Sequence, residues 1–148
     1  MVVSSISEIT LVTLQNCPVN PSFTAEIFSG IADAHVNIDM ISQAPNHGDL
    51  TSLSFTIMDD DLGRILTFLS DLKHSSAIKP IISSGNCKIN VHDVAMKNTP
   101  GMASRVFTAV AAVNTDLRLI TTSDVDISIL VTPADFQETL DAIEEAVG

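Results

Sequence analysis

Residues 102–131 read MASRVFTAVAAVNTDLRLITTSDVDISILV, and their hydrophobic period changes along the way. From Met102 to Val113 the apolar residues Val106, Phe107 and Val110 recur at helical spacing. Leu117-Arg118-Leu119-Ile120 and Ile127-Ser128-Ile129-Leu130-Val131 follow as two strand-like runs. They are rich in β-branched residues and bounded by turn residues, with a short loop at Thr122 to Asp124. A second helical pattern runs through Phe136, Leu140 and Ile143, with Asp135 near its start.

The same order stands about 75–80 residues earlier, so the chain is an internal repeat. Phe23 to His35 carries Ile27, Phe28 and Ile31 at helical spacing. Ile38-Asp39-Met40-Ile41 answers Leu117 to Ile120. Leu53-Ser54-Phe55-Thr56-Ile57 answers Ile127 to Val131, after a loop from Pro45 to Asp49. Leu62, Leu66 and Leu69 behind Asp61 answer the last helix. Ahead of each set lies a strand-like run, Ile9 to Val12 in one case and Ile89 to His92 in the other. Each half therefore reads β-α-β-β-α, and two further strand-like segments, Val2 to Ser5 and Ile78 to Ser83, lie outside this pattern. Each helix has one apolar stripe, so the helices are expected on one sheet face. One such unit alone would bury too little apolar area for comfortable stability, and two packed together remedy this. The expected class is α+β, with units at 6–84 and 85–148 and residues 1–5 adding a strand to the second.

Charge excludes several partners. The net charge is -11 with seven Lys plus Arg, a surface that repels phosphate backbones and anionic lipid. Trp and Tyr are absent, which removes most stacking platforms for single strands. No apolar run approaches the ~18–20 residues of a membrane span, and no signal peptide is visible. Cys17 and Cys87 lack metal-ligand or CxxC spacing, so a cytoplasmic protein with two reduced thiols is expected.

Catalytic motifs are missing as well. No phosphate loop, dinucleotide fingerprint, zinc-protease helix or nucleophile elbow occurs. His35, His47, His74 and His92 are not spaced as metal ligands; His92 follows a strand and faces a surface or packing role. Asp59-Asp60-Asp61 reads as capping and dipole complementarity at a helix start, because Leu62-Gly63-Arg64 breaks any calcium-loop pattern. No catalytic residue, metal or cofactor is expected.

The segments AMKNTPGMASRVFTAV and LRLITTSDVDISILV resemble the second ACT repeat of aspartokinase regulatory regions. The matching motifs are Asn98-Thr99-Pro100-Gly101, Ile120-Thr121-Thr122-Ser123 and Ile127-Ser128, and VNIDMISQ at Val36 to Gln43 resembles the first repeat. The resemblance runs from Ile9 onward. It implies tandem ferredoxin-like ACT units with antiparallel sheets, interleaved so that Val2 to Ser5 joins the second unit and Ile78 to Ser83 the first. It implies an allosteric module of amino-acid biosynthesis that binds a small amino acid of the lysine or threonine class. A homodimer and a catalytic kinase subunit are the implied partners. The kinase domain itself is not in this chain, so a regulatory subunit, a free-standing sensor or a fragment of an aspartate kinase are all open. A dimerisation module without ligand is the competing expectation.

The implied effector site combines Thr99, Pro100, Gly101, Met102 and Ala103 with Asp116, Leu117, Thr121 and Ser123. Asn37, Ile38, Met40 and Ile41 of a first repeat form a companion wall. Physical chemistry supports part of this independently. Gly101 permits close backbone approach, and a helix start presents free N–H groups that suit a carboxylate. Asp116 is expected at the same end, attracting the ammonium, with Ser123 against the effector side chain. The first repeat departs from the family turn: Cys17 to Phe23 has no glycine, and Phe23 is expected to fill ligand space.

Overall fold

A computed structural model describes residues 1–148. The elements are β1 (Val2–Pro18), α1 (Pro21–Asp33), β2 (Ile41–Gln43), β3 (Leu50–Met58), α2 (Leu62–Ser75), β4 (Lys79–His92), α3 (Met102–Ala112), β5 (Leu117–Thr122), β6 (Asp126–Val131) and α4 (Pro133–Val147). The class is α+β, antiparallel strands with four helices, as the two periodicities require. The strands hydrogen bond in the order β2-β3-β1-β4-β6-β5. Two compact units divide the chain: Glu8–Ser84, and Met1–Ser7 together with Gly85–Gly148.

Segments that read as separate strands are continuous. Val2 to Ser5 and Ile9 to Val12 both lie in β1, and Lys79 to Ser83 runs on to His92 in β4. Ser7 and Glu8 in β1, and Ser84 to Lys88 in β4, are polar or small, which a hydrophobic pattern reads as a break. Ladder hydrogen bonds join backbone groups and need no apolar side chain. Glu8 (φ 60°) and Gly85 (φ 77°) adopt positive φ at the boundaries of the two units.

In the first unit, Val12 pairs with Phe55 and Leu14 with Leu53, which sets these four side chains on one sheet face. Ile27 and Ile31 of α1 and Ile65 and Leu69 of α2 join them in one buried cluster, so both helices cover that face. Phe28 meets Phe55 edge-on, with ring centroids 6.0 Å apart. The second unit repeats the plan. Ile89 pairs with Ile129 and Val91 with Ile127. Val106 and Val110 of α3 and Ile143 of α4 close that core.

The helix ends repeat too. His35 and Asn114 follow α1 and α3 with φ of 60° and 54°, the left-handed step that turns a helix out into the next strand. The Asp59 to Asp61 run differs from its expected capping role. It forms a 3-10 turn ahead of α2, and no side chain caps that helix. Asp59 instead accepts a 2.6 Å hydrogen bond from the Thr10 hydroxyl, and Asp61 lies 3.7 Å from Arg64. Cys17 and Cys87 are both buried, and burial pushes the Cys17 thiol pKa up. No helix is long and apolar enough to cross a membrane.

Candidate functional site

The Pro-Gly turn of the second unit is built from the backbone outward. After β4, the Asp93 side chain accepts from Ala95 N at 2.9 Å and starts a 3-10 turn at Val94–Asn98. Pro100 and Gly101 then lead into α3. Gly101 adopts φ +95°, a conformation that L side chains rarely take, with nothing within 4 Å of where a Cβ would stand. Because the N-cap residue is glycine, no side chain satisfies the first amide groups of α3. The helix begins with open N–H donors and the positive end of its dipole.

A cleft of about 340 Å³ adjoins this helix start. The turn Thr99–Ala103 with Met96 and Lys97 lines one side, and Thr122–Asp124 with Ile127 the other. That volume is at the small end of ligand pockets, which suits a metabolite of amino-acid size. Lys97 Nζ lies 3.4 Å from Asp124 Oδ2, and both side chains are more than half exposed.

Ser123 lines the cleft, but its hydroxyl is occupied. Ser123 Oγ accepts from Val125 N at 3.2 Å and Asp126 N at 3.1 Å, and lies 3.4 Å from Asp126 Oδ2. It therefore shapes the β5–β6 turn, where the sequence pointed to contact with an effector side chain. His92 Nδ1 lies 2.9 Å from Asp126 Oδ1. That hydrogen bond is the first cause holding the Asp126 carboxyl below its ordinary pKa.

Of the expected residues, Thr99, Pro100, Gly101, Met102, Ala103 and Ser123 come together around this cleft. Asp116 and Leu117 do not line it, contrary to the expected shared end. The eleven residues of α3, about 16 Å of helix, lie between Gly101 and the segment that holds Asp116. Asp116 pairs with Arg118 at 3.0 Å, its amide donates to Asp135 Oδ2 at 2.9 Å, and Leu117 packs on the core. Thr121 lies in β5 beside Thr122 but is not a lining residue. In the first unit, Ile38 packs on the core and Met40 is buried, with its amide donating to Thr56 Oγ1 at 2.9 Å. Asn37 and Ile41 are exposed. Thr122, inside the expected span Thr121 to Ser123, also lines the cleft, whereas sequence reasoning missed Met96, Lys97, Asp124 and Ile127 as lining residues. Lys97 and Asp124 each stand next to a quoted motif, and that adjacency was the available signal.

The first unit has a counterpart cleft of about 280 Å³, lined by Pro18–Pro21, Thr24, Gln43 and Thr51. It contains no charged side chain. Asn20 Oδ1 accepts from Ser22 N at 2.9 Å, so this helix start is already capped from within. Phe23 packs against the apolar core and does not line the cleft, which corrects the expectation that it fills ligand space.

Residues 89–147 match the family profile of the ACT domain. An aspartokinase of Bacillus sp. (strain MGA3) is 28% identical over 94% of this chain and 34% of its own length. The chain thus spans about a third of that relative. The regulatory subunit of aspartate kinase from Thermus thermophilus superposes with a TM-score of 0.90 at 23% identity, covering 99% of this chain and 97% of that one. A crystal structure of aspartokinase alpha and beta subunits matches with a TM-score of 0.84 at 22% identity, over 98% of this chain and 96% of that one. The chain resembles the ACT regulatory region of aspartokinases along nearly its whole length and shares the fold of the Thermus regulatory subunit.

Proposed function

We propose that this chain is an amino-acid-sensing regulatory module of the aspartokinase type, which binds a small α-amino acid in the cleft beside Gly101. The observation that carries the reading is the uncapped start of α3 at a cleft of amino-acid size. Open amide donors there receive a carboxylate, and each charge-assisted hydrogen bond contributes about 1.5–3 kcal/mol. The lysine or threonine class is the expected effector.

The partner in regulation is a catalytic kinase subunit. Its support is the likeness to alpha and beta subunits of an aspartokinase and the share of the relatives' length that this chain spans. A homodimer accompanies this reading, with exposed Asn37 and Ile41 of a second copy forming a companion wall, and Thr121 beside it. A cytoplasmic setting accompanies this reading.

The test is a thermal-shift screen of the standard amino acids, followed by calorimetry on any hit. A ligand that binds only the native state raises the melting temperature by mass action. No shift at millimolar concentration would favour a purely structural dimerisation module.

A further inference from the structure

The effector cleft holds one cation and one anion, and their arrangement bears on which ligands it accepts. Lys97 and Asp124 both line it, and their charged ends lie 3.4 Å apart. Each comes from a different side of the cleft, Lys97 from the 3-10 turn before Gly101 and Asp124 from the turn between β5 and β6. We infer that Lys97 and Asp124 together read the two charged groups of a free α-amino acid. Lys97 assists the α3 amides at the carboxylate, and Asp124 accepts the ammonium. This rests on the proposed function and deepens it.

Elimination supports the assignment. Asp126 is nearby, but His92, Ser123 and Asn90 hold its carboxylate. Asp93 caps the 3-10 turn and lies 3.9 Å from the chain's amino terminus. Asp116 and Arg118 are paired with each other beyond the far end of α3. Arg105 donates to the Ala146 carbonyl of α4. Lys97 and Asp124 are the charged lining residues, and each has the other as its partner.

The pair is also easy to part. Side chains exposed by 52% and 65% are screened by water and lose little on separating. A ligand with both charges replaces one loose ion pair with two contacts of matching sign. A ligand with one charge leaves either Lys97 or Asp124 without a counterpart, so the cleft discriminates against masked amino acids.

Calorimetry with L-lysine and L-threonine, each beside its N-acetyl and its carboxamide form, tests this on the full chain. The wild type should bind the free amino acid at least about tenfold more tightly than either masked form. Asp124→Asn should weaken the free amino acid about tenfold and erase the discrimination against the N-acetyl form. Lys97→Gln should erase discrimination against the carboxamide. Both changes are at exposed positions, and an unchanged melting temperature without ligand checks the fold. Unchanged affinities in the variants, or an equal weakening of all three forms, would overturn the pairing role while leaving the cleft as the effector site. If none of the standard amino acids binds the wild type, the proposed function falls and this inference with it.

Discussion

The two units follow one plan, and they differ most where a strand turns into the first helix. In the second unit the turn is Thr99-Pro100-Gly101, and glycine leaves the start of α3 uncapped beside a cleft that holds Lys97 and Asp124. In the first unit the turn is Val19-Asn20-Pro21; Asn20 caps α1 with its own side chain, and the cleft carries no charge. A second difference lies deeper. Thr115 and Thr139 share a 2.6 Å hydrogen bond inside the second unit, where the first has Val36 and Ile65 in its apolar core. Matching partners have changed together, polar for polar and apolar for apolar. One fold thus tolerates two interiors and two helix starts, but only one of its turns has the donors and charges for a zwitterion.

The largest expected effect tests how far the cores are equivalent. Phe55→Ala removes the first unit's fully buried ring and should cost about 3–5 kcal/mol by chemical denaturation. Its counterpart Ile129→Ala should cost about 2–5 kcal/mol, and a larger loss at Ile129 would reverse the ranking of the two cores.

The half-buried threonine pair sharpens the comparison. Thr139→Val leaves the Thr115 hydroxyl without its partner and should cost about 1–3 kcal/mol. Adding Thr115→Val should recover most of that loss, because removing both partners is close to neutral. A double-mutant cycle with no coupling would show that the hydrogen bond contributes nothing.

The helix starts come next. Gly101→Ala should cost about 1–2 kcal/mol from backbone strain alone, since no atom stands where the Cβ goes. It should also weaken amino-acid binding in the same calorimetric assay. Asn20→Ala should cost about 1 kcal/mol through loss of its cap and leave amino-acid affinity unchanged. Loss of binding in the Asn20 variant would place an effector in the first unit instead.

The smallest effect is one of pH. The His92 hydrogen bond holds the Asp126 carboxyl below its ordinary pKa. A depressed native pKa contributes stability that is complete above the unfolded value, about 3.9, and is lost as pH falls through the lowered native value. Melting curves should therefore show the wild type's advantage over Asp126→Asn at neutral pH shrinking in acid. A difference that stays constant down the acid range would rule out this linkage.

Periodicity alone located the four helices to within a few residues, because each buries a single stripe. Phe23 to His35 became Pro21–Asp33, and Met102 to Val113 became Met102–Ala112. The turn at Gly101 was legible for a local reason, since glycine before an apolar helix permits close backbone approach; its left-handed φ emerged only in the structure. Asp116 was misjudged because the sequence does not show that α3 separates it from the turn. The Lys97–Asp124 contact was invisible because neither residue carries a local signal for the other.

What this sequence determined by itself was therefore local and periodic: the repeat, the α+β class, the helical stripes and the turn that leaves α3 uncapped. Hydrophobic period and backbone preference act over a few residues, and those features need nothing more. Only tertiary structure decided that polar breaks would be bridged into the long strands β1 and β4, that Ser123 would be absorbed in its own turn, and that Lys97 would face Asp124. These depend on which backbone groups find partners across a sheet and on how two distant loops meet at one end of a unit. Such meetings are set by the packing of whole elements, and no short-range pattern encodes them.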